Sequence, residues 1–161
     1  MEIRDERSDD EEAVNRLVEQ AFGQPAEAQL VVQLRKSGEA VVSLVAVDNA
    51  RIVGHVMLST MAAPFPALGL APLAVEPDFQ KKGIGAALIK AAIDRAEKMG
   101  SRAIFVLGDP AYYGRFGFRA DLAAGFSTPY AGEYFMVLPL GGSLPVSTGQ
   151  IDYSPSFSGL E

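Results

Sequence analysis

The most constraining feature of the sequence is a short segment that joins an apolar strand to a long helix. Residues 70–75 are apolar, and the run Gln80-Lys81-Lys82-Gly83-Ile84-Gly85 opens the longest helical pattern in the chain, residues 83–99. Two glycines let the backbone approach a ligand closely, and the first turn of a helix presents N–H groups that no helical carbonyl accepts. The two lysines add positive charge. The segment therefore predicts a binding site for a phosphate or pyrophosphate.

Two common phosphate-binding fingerprints do not fit this run. A Rossmann fingerprint requires glycine or alanine three residues after Gly85, where Leu88 stands. A P-loop requires a Gly-Lys-Ser or Gly-Lys-Thr sequence, which the chain lacks. Taken alone, Gly83 and Gly85 also fit a tight turn between a strand and a helix. The interpretation therefore depends on further motifs.

Hydrophobic patterning predicts the other elements. Two helices occupy the first 38 residues, and residues 40–47 and 51–61 are predicted to pair as an antiparallel hairpin. Residues 102–107 are almost wholly apolar, which is typical of a strand in the middle of a sheet. A further strand is predicted at residues 133–138. Because the chain has 161 residues, we expect one domain, residues 1–161.

A second motif, Tyr113-Gly114-Arg115-Phe116-Gly117-Phe118, completes a pattern that spans much of the chain. Together with Leu73-Ala74-Val75 and the glycine run, it resembles in order and spacing the acetyl-coenzyme A (acetyl-CoA) signature of the GNAT (GCN5-related) N-acetyltransferase family. The Asp109-Pro110-Ala111-Tyr112-Tyr113 run and the later Gly149, Tyr153 and Phe157 are similar to its YhbS-like bacterial subgroup. The resemblance implies an α/β (α+β) fold, with a central mixed, mostly antiparallel sheet flanked by helices.

The resemblance also implies where acetyl-CoA binds as the cosubstrate. The pyrophosphate would lie on the glycine run and on backbone N–H groups up to Ala86. The pantetheine arm would lie along residues 73–75 like an added strand, and Pro72 predicts an interrupted ladder there because it has no N–H to donate. The implied coenzyme-binding residues are Leu73, Ala74, Val75, Gln80, Lys81, Lys82, Gly83, Ile84, Gly85, Ala86, Asp109 and Tyr113.

Two catalytic groups follow from the same resemblance. Tyr113 matches the family tyrosine that protonates the departing thiolate, and a phenol with a pKa near 10 is protonated at neutral pH. Tyr112 is its neighbour and could share this role. The N–H of Leu73 would polarise the thioester carbonyl as an oxyanion donor. Asp109 departs from the asparagine that is common in the family.

The general base is not assigned by any motif. No acidic residue lies within the strand before Leu73, where some family members carry one. His55, Glu27 and Glu133 are candidates, and a water-mediated route is a further alternative. For His55, an ordinary hydrogen-bonded histidine in a strand is the simpler interpretation.

Composition limits metals and partners. The chain has no cysteine, which excludes disulfides and an acetyl-cysteine intermediate, and one histidine, which excludes a multi-histidine zinc site, so we expect no metal. The net charge of −6 argues against nucleic acid. Residues 52–75 are uncharged, but prolines and glycines interrupt them too often for a membrane span. The charged N-terminus does not resemble a signal peptide, so we expect a cytoplasmic protein.

The acceptor cannot be decoded from these motifs, and a small-molecule amine and a peptide amine both remain open. A non-catalytic acyl-CoA-binding sensor or partner module is the alternative function, since it would need the glycine run but not Tyr113. The apolar C-terminal third is compatible with a homodimer. Residues 141–161 are rich in Gly, Ser and Pro, so we expect a loose tail that docks through Ile151, Tyr153 and Phe157.

Overall fold

The computed structural model describes residues 1–160, with side chains for residues 1–157. Its helices are α1 (Glu11–Phe22), α2 (Ala26–Ser37), α3 (Ile84–Lys98), α4 (Pro110–Tyr113) and α5 (Ala120–Ala123). Its strands are β1 (Glu2–Asp5), β2 (Ala40–Asp48), β3 (Arg51–Ala62), β4 (Ala67–Val75), β5 (Ala103–Leu107), β6 (Phe126–Ser127), β7 (Phe135–Pro139), β8 (Gly149–Gln150) and β9 (Asp152–Tyr153). Short 3-10 turns occupy Ser8–Asp10, Pro77–Phe79, Gly114–Phe116 and Pro155–Leu160.

The sheet is built around the hairpin that the sequence predicts. Asn49 and Ala50 connect β2 and β3 with φ values of 49° and 64°, as in a two-residue type I′ turn. The strand order is β1-β2-β3-β4-β5-β7, and β9 pairs with the end of β3. Within this sheet, only β4 and β5 pair in parallel. The expected mixed, mostly antiparallel fold is confirmed.

Strand β4 is interrupted where Pro72 predicts an irregularity. Leu70 pairs with Leu58, whereas Leu73 pairs with Val56, so Ala71 and Pro72 form a bulge opposite one residue of β3. On its other edge, β4 pairs with β5 only over residues 67–69. After residue 69, no pairing joins these two strands in the described part of the chain. The strand therefore keeps one partner and loses the other before it reaches the glycine run.

Helices cover both faces of the sheet. On one face, Leu88 of α3 is fully buried in a cluster that includes Val56. On the other, Leu17 of α1 and Leu34 of α2 pack in a cluster that includes Met57. Val56 and Met57 are consecutive, and side chains alternate across a strand, so β3 supplies both cores. Burial of one such side chain contributes about 1.5–3 kcal/mol.

The C-terminal segment packs on an aromatic cluster at the β5–β7 edge. Phe105 stacks on Phe135 with ring centroids 5.5 Å apart, and Phe126 meets Phe105 edge-on at 5.7 Å. Ile151 and Phe157 are buried. The segment therefore docks on the sheet and brings β9 alongside β3.

Several predicted boundaries differ slightly from the structure, and strand β4 begins at Ala67, whereas the apolar pattern predicts its start at residue 70. The long helix spans Ile84–Lys98 rather than residues 83–99, because Gly83 is its left-handed N-cap. The strand expected at residues 133–138 spans Phe135–Pro139. None of the helices in residues 1–160 is both long and apolar enough to cross a membrane.

Candidate active site

The start of α3 has the geometry of an anion site. Lys81 and Gly83 both adopt left-handed conformations, with φ values of 64° and 84°. The first intrahelical hydrogen bond runs from Ala87 N to Gly83 O at 3.0 Å. The N–H groups of the first turn, at residues 84–86, therefore have no helical acceptor and carry the positive end of the helix dipole.

A cavity of about 430 Å³, which we call the entrance cavity, lies in front of this helix start. Lys81 and Arg115 give it positive charge, and none of the described residues that line it is acidic. Its size is within the range of small-molecule sites. Its lining residues are Leu73, Val75, Phe79, Gln80, Lys81, Gly83, Ile84, Gly85, Ala86, Tyr112 and Arg115.

The loop that leads into α3 is tied down by side-chain contacts. The Gln80 amide donates a hydrogen bond from Nε2 to the Val75 carbonyl oxygen at 3.1 Å. The guanidinium of Arg51 and the ammonium of Lys82 lie 5.7 and 5.2 Å from the centre of the Phe79 ring. These cation–π contacts hold the loop against the end of β4. Lys82 supports the loop and does not line the cavity.

Tyr112 and Arg115 line the side of the entrance cavity that faces the start of α3. The Tyr112 hydroxyl oxygen lies 2.6 Å from the point that a Cβ on Gly85 would occupy. The Arg115 guanidinium lies over the Tyr112 ring, 4.7 Å from its centre. Partial burial raises the pKa of Tyr112, and the charge of Arg115 opposes this shift. A cation and a phenol therefore face the free N–H groups of α3.

A second cavity of about 380 Å³ lies at the carboxyl ends of β4 and β5, and we call it the strand-end cavity. Leu73 lines both cavities, so they meet at the β4 bulge. Tyr113 lines the second cavity, whereas Tyr112 lines the first. The lining residues are Phe22, Glu27, Leu30, Leu70, Ala71, Pro72, Leu73, Leu107, Gly108, Tyr113, Tyr130, Tyr153 and Phe157.

Tyr113 is half-buried and lies among aromatic rings. Its ring meets those of Tyr112 and Phe118 edge-on, with centroids 5.1 and 5.7 Å away. Burial, and secondarily the neighbouring Tyr112, raises the pKa of Tyr113 to about 12. The phenol therefore remains protonated at neutral pH and can donate a proton.

Comparison with known proteins identifies the family. The family model described as "Acetyltransferase (GNAT) family" matches residues 3–118. The chain belongs to the GNAT acetyltransferase family. It is 37% identical over 128 residues to the "Uncharacterized N-acetyltransferase YhbS" of Escherichia coli (strain K12), which covers 77% of this chain and 75% of that protein.

Solved GNAT structures share the fold. The crystal structure of YhbS from Escherichia coli in complex with CoA has a TM-score of 0.91 at 30% identity, covering 98% of this chain and 91% of that one. A GNAT acetyltransferase from Brucella melitensis in complex with acetyl-CoA has a TM-score of 0.83 at 31% identity, covering 97% of each chain. The expected family and the YhbS-like resemblance are confirmed.

Three coenzyme-site residues expected from the resemblance lie outside both cavities of this GNAT protein. Asp109 accepts a hydrogen bond from the Ala111 N–H at 2.9 Å and so caps α4. The Ala74 side chain is buried in the core on the α1–α2 side. Lys82 rests on Phe79, as described above. Each is next to the site, but no side-chain contact of theirs reaches into it among the described residues.

The three candidate bases have very different positions. Glu27 lines the strand-end cavity, and its two carboxylate oxygens accept hydrogen bonds from Gln24 Nε2 at 3.0 and 3.1 Å. Glu133 is exposed and lines neither cavity. His55 is fully buried and also lines neither. Glu27 is therefore the candidate that the fold brings to the site.

His55 belongs to an interior polar network. Its Nε2 lies 2.9 Å from Ser43 Oγ, and the Ser43 hydroxyl donates to Glu6 Oε1 at 2.9 Å. Since that hydroxyl has one proton, His55 Nε2 is the donor to Ser43, and Nδ1 is the bare nitrogen. Burial, and then the charge of Arg35, lowers the pKa of His55 to about 3. The ring is neutral and enclosed.

Sequence reasoning missed several cavity residues. Arg115 stands inside the second motif, so its charge was a signal that could have assigned it to the entrance cavity. Tyr130 had no motif, and Tyr153 was expected only to dock the tail, yet both line the strand-end cavity. No group of three or more potential metal ligands was found in residues 1–160.

Proposed function

We propose that the protein is an acetyl-CoA-dependent N-acetyltransferase that acetylates a primary amine by direct attack in a ternary complex. The observation that carries this is the shared wall at Leu73, where a cationic cavity at a helix start meets a second cavity that contains Tyr113. The family membership supports it, as do relatives whose structures hold CoA and acetyl-CoA.

The entrance cavity suits the coenzyme pyrophosphate. The N–H groups at residues 81–86 bind its oxygens, and Lys81 and Arg115 neutralise its charge. A phosphate oxygen needs donors of this type at short range, and no described lining residue repels it. Gln80 fixes the loop through its bond to the Val75 carbonyl. This site needs no basic overall surface, so it is compatible with the net charge of −6.

The bulged strand positions the thioester. Beyond residue 69, the β5-facing edge of β4 has no strand partner in the described chain, so the pantetheine amides can bind along residues 73–75. We assign the N–H of Leu73 the role of oxyanion donor. The thioester carbonyl then lies where the two cavities meet.

The chemical step needs one proton donor on the sulfur side. The amine nitrogen attacks the thioester carbon, a C–N bond forms, and the C–S bond breaks. Tyr113 gives its proton to the departing sulfur and regains one from solvent, while the nitrogen releases a proton to solvent. Because the chain has no cysteine, no acetyl-cysteine forms.

Calorimetric titration of acetyl-CoA tests the binding half of the proposal. Gly83→Asp and Gly83→Asn have nearly equal size, and both place a side chain at a positive φ that asparagine tolerates, so only the charge separates them. We expect the aspartate variant to bind at least about tenfold more weakly than the asparagine variant, because a carboxylate would repel the pyrophosphate. Equal affinities would contradict the assigned anion site.

Release of coenzyme thiol in the presence of amines tests the catalytic half. The protein contributes no thiol background because it lacks cysteine. Tyr113→Phe is expected to keep coenzyme affinity and to lower kcat by about 100-fold or more. A non-catalytic acyl-CoA-binding module would instead bind the coenzyme with no turnover in either protein.

A further inference from the structure

The strand-end cavity differs chemically from the entrance cavity. Most of its wall is aliphatic or aromatic, and Glu27 is the one ionised residue among the described residues that line it. At its mouth, Phe22 and Leu107 remain 41% and 48% exposed. Exposed apolar side chains beside a cavity are typical of a surface that a ligand covers.

Tyr153 lines this cavity and has a buried hydroxyl. Its oxygen has no hydrogen-bond partner among the residues that the structure describes, although buried hydroxyls nearly always have one. Burial raises the pKa of Tyr153, with smaller contributions from Tyr130 and Tyr113, so the three phenols share one region. The hydroxyl is therefore neutral, and its hydrogen-bonding capacity is unused within the described chain.

The position of the Tyr153 ring is fixed by the fold. A Cβ on Gly69 would lie 2.7 Å from the Tyr153 Cε1 atom, so the ring lies directly on β4 where a side chain is missing. Phe157 packs on its other side, with ring centroids 4.8 Å apart. Strand β9 pairs Tyr153 with Met61 of β3. The phenol is held from three directions and loses little freedom on binding a ligand.

Glu27 supplies charge complementarity for a cation. It lies in the first turn of α2, and its carboxylate is oriented by Gln24. An ammonium group that approaches an apolar cavity with one carboxylate is attracted to it electrostatically. A sugar or polyol body would need a partner for each of its hydroxyls, whereas the described side chains of this wall offer hydrogen-bonding groups only at Glu27 and three tyrosines.

We propose that the strand-end cavity binds a small primary amine with an apolar, aromatic or branched aliphatic body, drawn in by Glu27 and hydrogen-bonded by the Tyr153 hydroxyl. The acetylation of this amine rests on the proposed function. It assigns Tyr153 the role of a positioning residue for the acceptor. The chemical class of the acceptor follows from the residues that line the strand-end cavity and not from the coenzyme site.

Binding to the protein–CoA complex tests this inference without turnover. Three amines are titrated by calorimetry. Beside its amine, 2-phenylethylamine carries an aromatic ring, glucosamine carries several hydroxyl groups, and putrescine carries a second ammonium group. We expect 2-phenylethylamine to bind at least about tenfold more tightly than the other two. Equal binding, preference for either polar amine, or no binding by any of them would overturn the proposal.

Tyr153→Phe tests the hydroxyl, and Tyr134→Phe is its matched control because Tyr134 is 55% exposed and lines neither cavity. We expect about a tenfold loss of 2-phenylethylamine affinity in Tyr153→Phe only, with unchanged Tm, since no hydrogen bond among the described residues is removed. Unchanged affinity would overturn the role of Tyr153. If the amine binds selectively but acetyl-CoA yields no free thiol, the proposed transferase fails while the binding site stands.

Discussion

The Tyr113 ring lies against the backbone of Gly108, with Cε2 only 2.5 Å from the point that a Cβ on residue 108 would occupy. Gly108 directly follows β5, so the end of this interior strand fixes the lateral position of the phenol. The opposite side of the ring faces Phe118. The proposed proton donor is thus positioned by two neighbours that are not themselves part of the chemistry.

Replacing Gly108 should therefore impair catalysis without impairing coenzyme binding. In Gly108→Ala, the new methyl group would overlap the ring and force Tyr113 to move. Since Gly108 is not in the left-handed region, the backbone itself tolerates alanine. We expect kcat to fall by about tenfold or more, measured by thiol release, with calorimetric Kd for acetyl-CoA within about threefold of the parent.

Gly114→Ala is the control for that experiment. Gly114 is helical, with φ −57° and ψ −30°, and a Cβ there has no described neighbour within 4 Å. Its kcat should be unchanged. An active Gly108→Ala enzyme would contradict the role given to Tyr113 at its present position.

The raised pKa of Tyr113 predicts the shape of the pH–rate profile. A phenol with a pKa of about 12 stays protonated through the whole accessible range, so its ionisation removes no activity below pH 10. An amine acceptor loses its own proton as pH rises, which increases the reactive fraction. We expect kcat/KM to rise from pH 7 to pH 10 without a descending limb. A descending limb in this range that disappears in Tyr113→Phe would contradict the assignment.

The anion site at the start of α3 could be predicted because the residues that form it are close together in the sequence. Gly83 and Gly85 stand within one turn, and the free N–H groups follow from the helix start alone. The β4 bulge could be predicted equally well, because Pro72 has no N–H to donate to a neighbouring strand. Short-range constraints of this kind can be inferred from residue types and spacing.

The strand-end cavity could not be predicted in the same way. Phe22, Glu27, Leu107 and Tyr153 belong to four separate segments, and only the strand order brings them together. The orientation of Tyr153 further depends on the absence of a Cβ at Gly69, and the sequence does not show which side chain fills that space. Long-range pairing of β9 with β3 determined this site, and periodicity contains no information about it.

Substitutions of Asp109 distinguish a structural role of its side chain from a role in binding the coenzyme. Its carboxylate caps α4 by accepting the Ala111 N–H, and asparagine can accept the same bond whereas alanine cannot. We expect Asp109→Ala to lose about 1 kcal/mol of unfolding free energy in urea and Asp109→Asn to lose less than about 0.5 kcal/mol. Coenzyme Kd should be the same in all three proteins. Weaker coenzyme binding in Asp109→Ala, with binding kept or tightened in Asp109→Asn, would instead support the coenzyme contact that the family resemblance implies.

His55 should make the protein sensitive to mild acid. Its pKa is about 3 in the folded chain and about 6.5 when exposed, so the unfolded state binds more protons between these values. Stability then rises with pH across this window and is lost on acidification, by up to about 1.4 kcal/mol per pH unit from this group. Denaturant titrations at pH 7, 6 and 5 should show the loss.

The variant His55→Gln isolates this effect, because His55 is the sole histidine of the sequence. Glutamine keeps a donor for Ser43 Oγ but does not titrate. Protonation of the native ring would add a charge near Arg35 and an N–H at Nδ1, for which the described chain offers no acceptor. We therefore expect the variant to have a flatter dependence of unfolding free energy on pH between 7 and 5, whatever its stability at pH 7. An equal slope in both proteins would show that carboxylates, rather than His55, cause the acid sensitivity.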